Sequence, residues 1–291
     1  MMKKSLVALF AMTLVAATAF AQTEVNHANA PGLQFQPKNN AGGGGGGGNL
    51  IYHNGGRVIA NAHVICIFWG PSFSNTASAD YTYATTLQQF RNQFGTTPEY
   101  NVITQYYGTD DSTGSYGNIA QSSLGGGQAD LFDTSTPPTN VSDSVVQSEV
   151  QKYVAANGVD YAAIYEVVIP STSYSSSGTS DSCGGPNLVY CAYHSHYVNS
   201  AGRNVKYSIE PYPSCSGCVS STSWSDAQNQ MHFVCHETRE AVTDPLGNAW
   251  FDRRGYEADD KCAWSPAPFL DGGYGYQYEW ANNVSGCVQK Q

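Results

Sequence analysis

Val58 to Trp69, VIANAHVICIFW, is the stretch on which the architecture turns. It is β-branched and apolar, it ends at Gly70-Pro71, and it reads as a strand buried on both faces. Such a strand belongs near the centre of a sheet. Downstream, Ala79 to Phe94 sets Tyr83, Leu87, Phe90 and Phe94 at helical spacing and is stopped by Gly95. Tyr100 to Tyr107 is a second strand candidate, and Asp130 to Asn140 is a Pro- and Thr-rich loop. Ser142 or Ser144 then caps a helix through Asn157, with Val145, Val146, Val150 and Val154 inward and Gly158 beyond its end. Asp160 to Pro170, DYAAIYEVVIP, is another apolar strand. Strand, helix, strand, helix, strand implies parallel members joined by helical crossovers.

Further on, Tyr174 to Pro186 reads as a Ser/Gly loop, and Leu188 to Val198 and Val205 to Tyr212 as two strands turned at Asn199 to Gly202. Ser225 with Gln228 forms a capping box that opens a helix over Asp226 to Val242, ended by Pro245. The expected fold is α/β (α+β): a disulfide-bearing single domain, a mixed sheet with helical crossovers, and a late helix that carries chemistry.

The ends set the domain limits. Lys3 and Lys4, the apolar run Leu6 to Phe20, and Ala19-Phe20-Ala21 give residues 1–21 the form of an export signal. The run of about 15 residues is short of the roughly 20 that cross a bilayer, and no later stretch is as apolar, so membrane insertion is not expected. Residues 22–49, which end in Gly42 to Gly48, read as a flexible tether. Residues 50–291 then form one globular domain of about 240 residues, enough for a full core. The expected location is secreted, extracellular or periplasmic.

Lys and Arg number 13 against 23 Asp and Glu, a formal charge of −10, and the leader carries two of those lysines and no acid. A chain this acidic repels phosphate backbones, which argues against nucleic acid as a partner. Cysteine usage fits export: Cys183 with Cys191, Cys215 with Cys218, and Cys262 with Cys287 are read as local cross-links in an oxidising compartment. Cys215-Ser-Gly-Cys218 is also half of a zinc knuckle or a redox motif, but no second CxxC accompanies it. Cys66 and Cys235 are buried thiols or partners of each other.

The chemistry lies in Met231 to Pro245, MHFVCHETREAVTDP. At 3.6 residues per turn His232, His236 and Glu240 share one stripe, with Glu237 about 100° round from His236. This echoes the HExxH helix of zinc hydrolases, in which two ligands one turn apart hold the metal and the adjacent Glu is general base. Here Glu240 stands in the second ligand position, which widens the candidates from zinc to manganese, iron or calcium. Glu257 is the candidate third ligand and Asp260 an outer partner for a ligating imidazole. The plan resembles the gluzincins, so a zincin-like fold with a divalent metal, zinc first, is expected, with Glu237 catalytic.

His/Glu pairs one turn apart are common on solvated helix faces. Against that reading stand the apolar neighbours Phe233, Val234 and Val242, which bury much of the helix, and the acidic run that follows. His194 and His196, two apart on a strand, face the same way and are candidates to line the site or to be a hydrogen-bonded structural pair. His53 and His63 have no spacing partner and read as structural. No GxSxG elbow, phosphate-binding loop or GxGxxG turn occurs. Glu210, Glu237 and Glu240 offer carboxylate pairs for glycoside cleavage, with no separation to test.

Several of these segments together resemble the exordium-like (phosphate-induced) family of secreted proteins. Leu50 to Gly56 and Val64 to Gly70 are similar to its opening "YHGG … IWYG", Cys191-Ala192-Tyr193-His194 to "CGFH", and Cys215-Ser216-Gly217-Cys218 to "CPGxC". His236-Glu237, Glu240, Thr243-Asp244-Pro245, Asn248-Ala249-Trp250, Glu257, Asp260 and Cys262 resemble "HExxExxT(D/N)P…NAW…EIADLC". Ala192, where the family usually has Gly, and the polyglycine tether depart from the pattern. The resemblance implies an extracellular or cell-wall protein associated in plants with growth and nutrient responses, and no established reaction. The expectations are therefore a metal-dependent hydrolase acting on a peptide, or a noncatalytic module that binds polysaccharide or a protein in the cell wall.

Overall fold

The structure is a computed structural model and describes residues 48–291. Residues 1–21, read as an export signal, and nearly all of residues 22–49, read as a tether, lie outside the described residues. The centre is a mixed sheet of five strands, here β1 (His63–Trp69), β2 (Leu131–Asp133), β3 (Ala163–Ile169), β4 (Tyr193–Val198) and β5 (Asn204–Pro211). Their order across the sheet is β4-β5-β3-β1-β2, parallel throughout except for the antiparallel β4-β5 hairpin. As the apolar runs predict, β1 and β3 are central and covered on both faces.

Three helices do the covering: α1 (Ala79–Phe94), α2 (Asp143–Asn157) and α3 (Asp226–Thr243). Val64 and Phe68 of β1 and Ile164 and Val168 of β3 pack with Leu87 and Phe90 of α1 and with Met231 and Val234 of α3. On the other face Ile65, Ile67, Tyr165, Val167 and Tyr207 pack with Val146, Val150 and Tyr153 of α2. Period-two alternation along each strand divides the two cores. Register fixes what α3 meets: Cys66, Glu166, Ser208 and His194 are successive cross-strand partners in one row on the α3 side.

Several expected elements differ in detail. The run 58–69 is broken, with Arg57–Val58 pairing in a separate small sheet with Tyr107–Asp110. Tyr100 to Tyr107 is mostly helical: Pro98 opens a turn capped by Thr97, whose hydroxyl accepts the Tyr100 amide at 3.2 Å. The second strand of the crossover is instead Leu131–Asp133, inside the Pro/Thr segment read as loop. The Ser/Gly segment likewise holds a short hairpin, Tyr174–Ser177 with Ser180–Asp181. Ser142 is the N-cap of α2 but makes no side-chain capping bond, its Oγ meeting that of Ser144 at 3.0 Å.

All six paired cysteines form disulfides, but two of the expected pairings are corrected: Cys183 bonds Cys215 and Cys191 bonds Cys218, while Cys262 bonds Cys287 as read. The β4-β5 hairpin explains the exchange, because pairing Tyr193 with Ile209 lays the segment before β4 beside the segment after β5. Each cysteine of one segment then faces one of the other at Cα separations of 5.5 Å. Cys66 and Cys235 are both free and buried. Three disulfides suit an oxidising compartment. No helix among the described residues is long and apolar enough to cross a membrane.

Candidate metal centre

The late helix begins with the capping box its sequence announces. Ser225 Oγ accepts the Gln228 amide at 3.2 Å and Gln228 Oε1 accepts the Ser225 amide at 2.9 Å. From Asn229 to Thr243 every residue is buried. A helix this polar tolerates such burial only if its polar groups are matched. Most are: Thr238 donates to Glu166 at 2.7 Å, Gln230 donates to Glu210 at 2.6 Å, and Arg239 meets Asp259 and Glu279. The exceptions cluster in the second half of the helix, on the side facing β4.

There, Glu240 Oε2 lies 3.0 Å from His236 Nε2, its neighbour one turn back. His194 reaches in from the edge strand β4, with Nδ1 3.2 Å from Glu237 Oε2 and 3.9 Å from Glu240 Oε2, and with Nε2 4.0 Å from Glu257 Oε1. Asp260 Oδ1 stands 3.8 Å from His236 Nε2, the Asp260 amide donates to Glu240 Oε1 at 3.0 Å, and the Glu257 amide donates to Asp260 Oδ2 at 3.2 Å. Two overlapping donor sets result, His194/Glu240/Glu257 and His236/Glu237/Glu240, each converging within 4.8 Å.

Placement of the other candidates sharpens this. His232 shares the stripe but lies outside both sets: its Nδ1 meets Ser220 Oγ at 2.8 Å and its ring contacts Trp264 at 4.9 Å. His196 also lies outside them, opposite Lys206 and near Asp111. His194 therefore enters the centre without His196, although both face the same way. His63 pairs with Asp160 at 2.6 Å, and His53 lies against Ala249 and Phe251. Glu257 is positioned by a loop that docks on the first described segment: the His53 amide donates to Ala249 O at 2.8 Å and the Arg57 amide to Asn248 Oδ1 at 3.0 Å. A Cβ at Gly56 would stand 2.3 Å from Asn248 O, so only glycine permits this contact.

Electrostatics set the centre apart. Burial pushes the Glu237 carboxyl up to about 8. Burial first, and then the neighbouring carboxylates, hold Glu240, Glu257 and Asp260 well above their usual range. Burial and the adjacent His236 drive His194 down to about 3, so its imidazole is neutral at physiological pH. Four carboxyl groups thus share a buried site to which, among the described residues, no Lys or Arg side chain is paired. Glu237 Oε1, Glu240 Oε2 and Glu257 Oε1 are buried without a hydrogen bond.

A divalent cation fits these residues. Ligands about 2.0 to 2.2 Å from a tetrahedral zinc stand roughly 3.3 to 3.6 Å apart, and the separations within the cluster, 3.0 to 4.0 Å, bracket that spacing. The three unbonded oxygens would gain the partner they lack, and a neutral imidazole is the form of histidine that binds metal.

Sequence reading missed three contributors. Gln277 Oε1 lies 3.3 Å from His236 Nδ1 while its Nε2 donates to Asp259 Oδ1 at 3.0 Å, which orients the imidazole. Asp244, raised by burial to about 7, accepts the Asn248 amide at 2.5 Å and the Ala249 amide at 2.7 Å at the turn after α3. Glu166, lone acid of its strand, carries the one signal that was readable: a charge amid AIYEVVI has to find a partner.

Fold and site together define a mixed α/β protein with three disulfides and a buried histidine–carboxylate cluster between an edge strand and a central helix. Compared with family models, with curated proteins and with solved structures, the chain finds no match in any of the three.

Proposed function

We propose that the chain is a secreted, divalent-metal-dependent hydrolase of zincin-like plan, with zinc the first candidate and a peptide as substrate. His194, His236, Glu240 and Glu257 would hold the metal, with Gln277 orienting His236 through Nδ1 and Asp260 holding the Glu257 and Glu240 ends of the site through its side-chain and backbone hydrogen bonds. The observation that carries the reading is the charge imbalance: buried carboxylates converge on neutral imidazole with three oxygens lacking a hydrogen bond. Burying such groups without a cation is costly, and a dication offsets that cost. The exordium-like resemblance and the three disulfides support an extracellular setting, and the family's "HExxE" and "EIADLC" segments resemble those that carry Glu237, Glu240, Glu257 and Asp260.

Bound there, a divalent ion supplies Lewis acidity toward a carbonyl and a water molecule. The remaining chemistry belongs to the chain. Burial raises the Glu237 carboxyl to about 8, and beside a dication it would be held ionised. Its Oε1, which has no hydrogen-bond donor, would then be placed to accept a proton from the attacking water and return it to the leaving amine. His194 Nδ1, 3.2 Å from Glu237 Oε2, restrains the carboxyl in that orientation.

A second reading, a structural metal in a noncatalytic cell-wall binding protein, is favoured by one observation: His194 is 5 % exposed and Asp260 6 %, so little of the cluster meets solvent. Elemental analysis of the purified protein, paired with a Glu237→Gln variant assayed on peptide libraries, separates the two. The hydrolase reading expects one equivalent of metal in both proteins and a loss of about 10²- to 10⁴-fold in cleavage for the variant. Metal without cleavage leaves the structural reading, and a metal-free protein ends both.

A further inference from the structure

Away from the cluster, where the small sheet containing Arg57 meets the β4-β5 hairpin, a groove of about 430 Å³ is lined by Arg57, Asp111, Thr113, Gly114, Arg203 and Asn204, among others. Its charge runs against the molecule. The chain has 23 acidic residues for 13 Lys and Arg, and a cation in such a protein ordinarily finds a carboxylate. Among the described residues seven Lys and Arg side chains come within 4.0 Å of one. Arg57, Arg203 and Arg253 do not, and two of these three line this one groove.

The arrangement around them preserves that excess. Asp111 is the groove's own acid, but its carboxylate is taken by Lys206 Nζ at 3.0 Å and by Asn204 Nδ2 at 3.0 Å. Lys206 is fully buried and so returns a positive charge beneath the floor. Arg203 is held in place, its guanidinium 3.5 Å above the Tyr161 ring and its Nη2 donating to Ser112 O at 2.7 Å, both neutral partners. Gly114 and Gly202 leave open space on either side, since a Cβ at either would meet nothing within 4 Å.

We propose that this groove is an oxyanion site, in which Arg57 and the pre-positioned Arg203 together take a carboxylate or a phosphate. Guanidinium groups match planar and tetrahedral oxyanions through paired N–H donors. The inference does not rest on the metal reading, because none of the groove's residues belongs to the cluster.

Titration calorimetry on the whole exported chain at constant ionic strength tests it, with inorganic phosphate and tetraglutamate as probes. Saturable binding of either at a Kd of about 1 mM or tighter is expected, weakened about tenfold by Arg57→Ala. The contacts Arg57 makes, to Asn248 and to Thr109 in the small sheet, are made by its backbone, so that variant keeps its melting temperature. Arg203→Lys retains the charge but loses the fork, and should also weaken binding. Preference for phosphate assigns the site to a free ion, and preference for tetraglutamate to an acidic chain. Binding of neither probe below about 10 mM, or equal affinity in Arg57→Ala, overturns the proposal.

Discussion

His194 on the edge strand β4 and Glu240 on the buried helix α3 bring Nδ1 and Oε2 to 3.9 Å. The same imidazole nitrogen lies 3.2 Å from Glu237 Oε2, and these two contacts join the sheet to the helix at the cluster. Glu240 Oε2 also faces His236 Nε2 at 3.0 Å, so one carboxylate oxygen is shared between imidazoles from two elements. Removing either end of this relationship should therefore act on metal affinity. His194→Ala and Glu257→Gln are expected to lower it by more than the roughly 10- to 100-fold that loss of an outer partner costs, and Asp260→Asn by about that range. Competition with a chelator of known affinity measures all three. Wild-type affinity in His194→Ala would remove β4 from the site.

Glu166 governs a pH dependence of stability. Burial raises its carboxyl from 4.5 to about 7, although Thr238 donates to it. Between those values the folded chain binds a proton that the unfolded chain has released, so stability falls as pH rises through the window and levels off above it. The slope from this group is at most about 1.4 kcal/mol per pH unit. Glu166→Gln keeps an oxygen for the Thr238 hydroxyl and cannot ionise. Its melting temperature should be flatter from pH 5 to 7 and higher than wild type at pH 8. Parallel pH profiles for the two proteins would contradict this account.

How much of this was readable beforehand depended on where each signal lay. The central strands, α1 and the capping box of α3 rest on local patterns, and local patterns are what sequence displays. Leu131–Asp133 was hidden because its three residues sit among Thr and Pro, and its pairing with β1 is a tertiary fact. His236, Glu237 and Glu240 were legible from helical spacing, and Glu257 and Asp260 from their position downstream. Choosing His194 over His196 was not: both face the same way, and only the placement of α3 across the sheet decides which one reaches Glu237. Two of the three disulfide pairings were illegible for a similar reason: Cys262 and Cys287 pair as their sequence suggests, but nearness in sequence is not nearness in space where the hairpin brings the Cys183/Cys191 and Cys215/Cys218 segments face to face.

That exchange is directly testable. Peptide mapping of the unreduced protein should yield cross-linked fragments containing Cys183 with Cys215 and Cys191 with Cys218, and none joining Cys215 to Cys218. Replacing Cys191 and Cys218 together by alanine should cost about 2 to 5 kcal/mol in chemical denaturation. Phe233 of α3 packs on the same cysteines, so the loss should loosen the helix next to His232 and His236.

Arg239 offers the most demanding test, because it links stability to the candidate centre. Its guanidinium is fully buried, bonds Asp259, lies 2.7 Å from Glu279 and donates to Gln277 O at 3.2 Å. Gln277 in turn donates to Asp259 and meets His236 Nδ1. Arg239→Met strands two buried carboxylates and should destabilise the fold by about 3 to 5 kcal/mol. Substituting Asp259 and Glu279 by leucine in the same chain removes the stranded charges and should recover much of that stability, because the cost of a broken pair is chiefly the uncompensated ion left behind. Metal affinity should not recover with it. Leucine at 259 removes the Oδ1 acceptor of Gln277 Nε2 and leaves it the residue 259 carbonyl at 2.8 Å, so Gln277 holds the His236 ring less firmly and chelator competition should show the triple variant still weakened. Recovery of both properties together would mean that the carboxylates of this network do not orient His236, the residue 259 carbonyl being enough to hold Gln277.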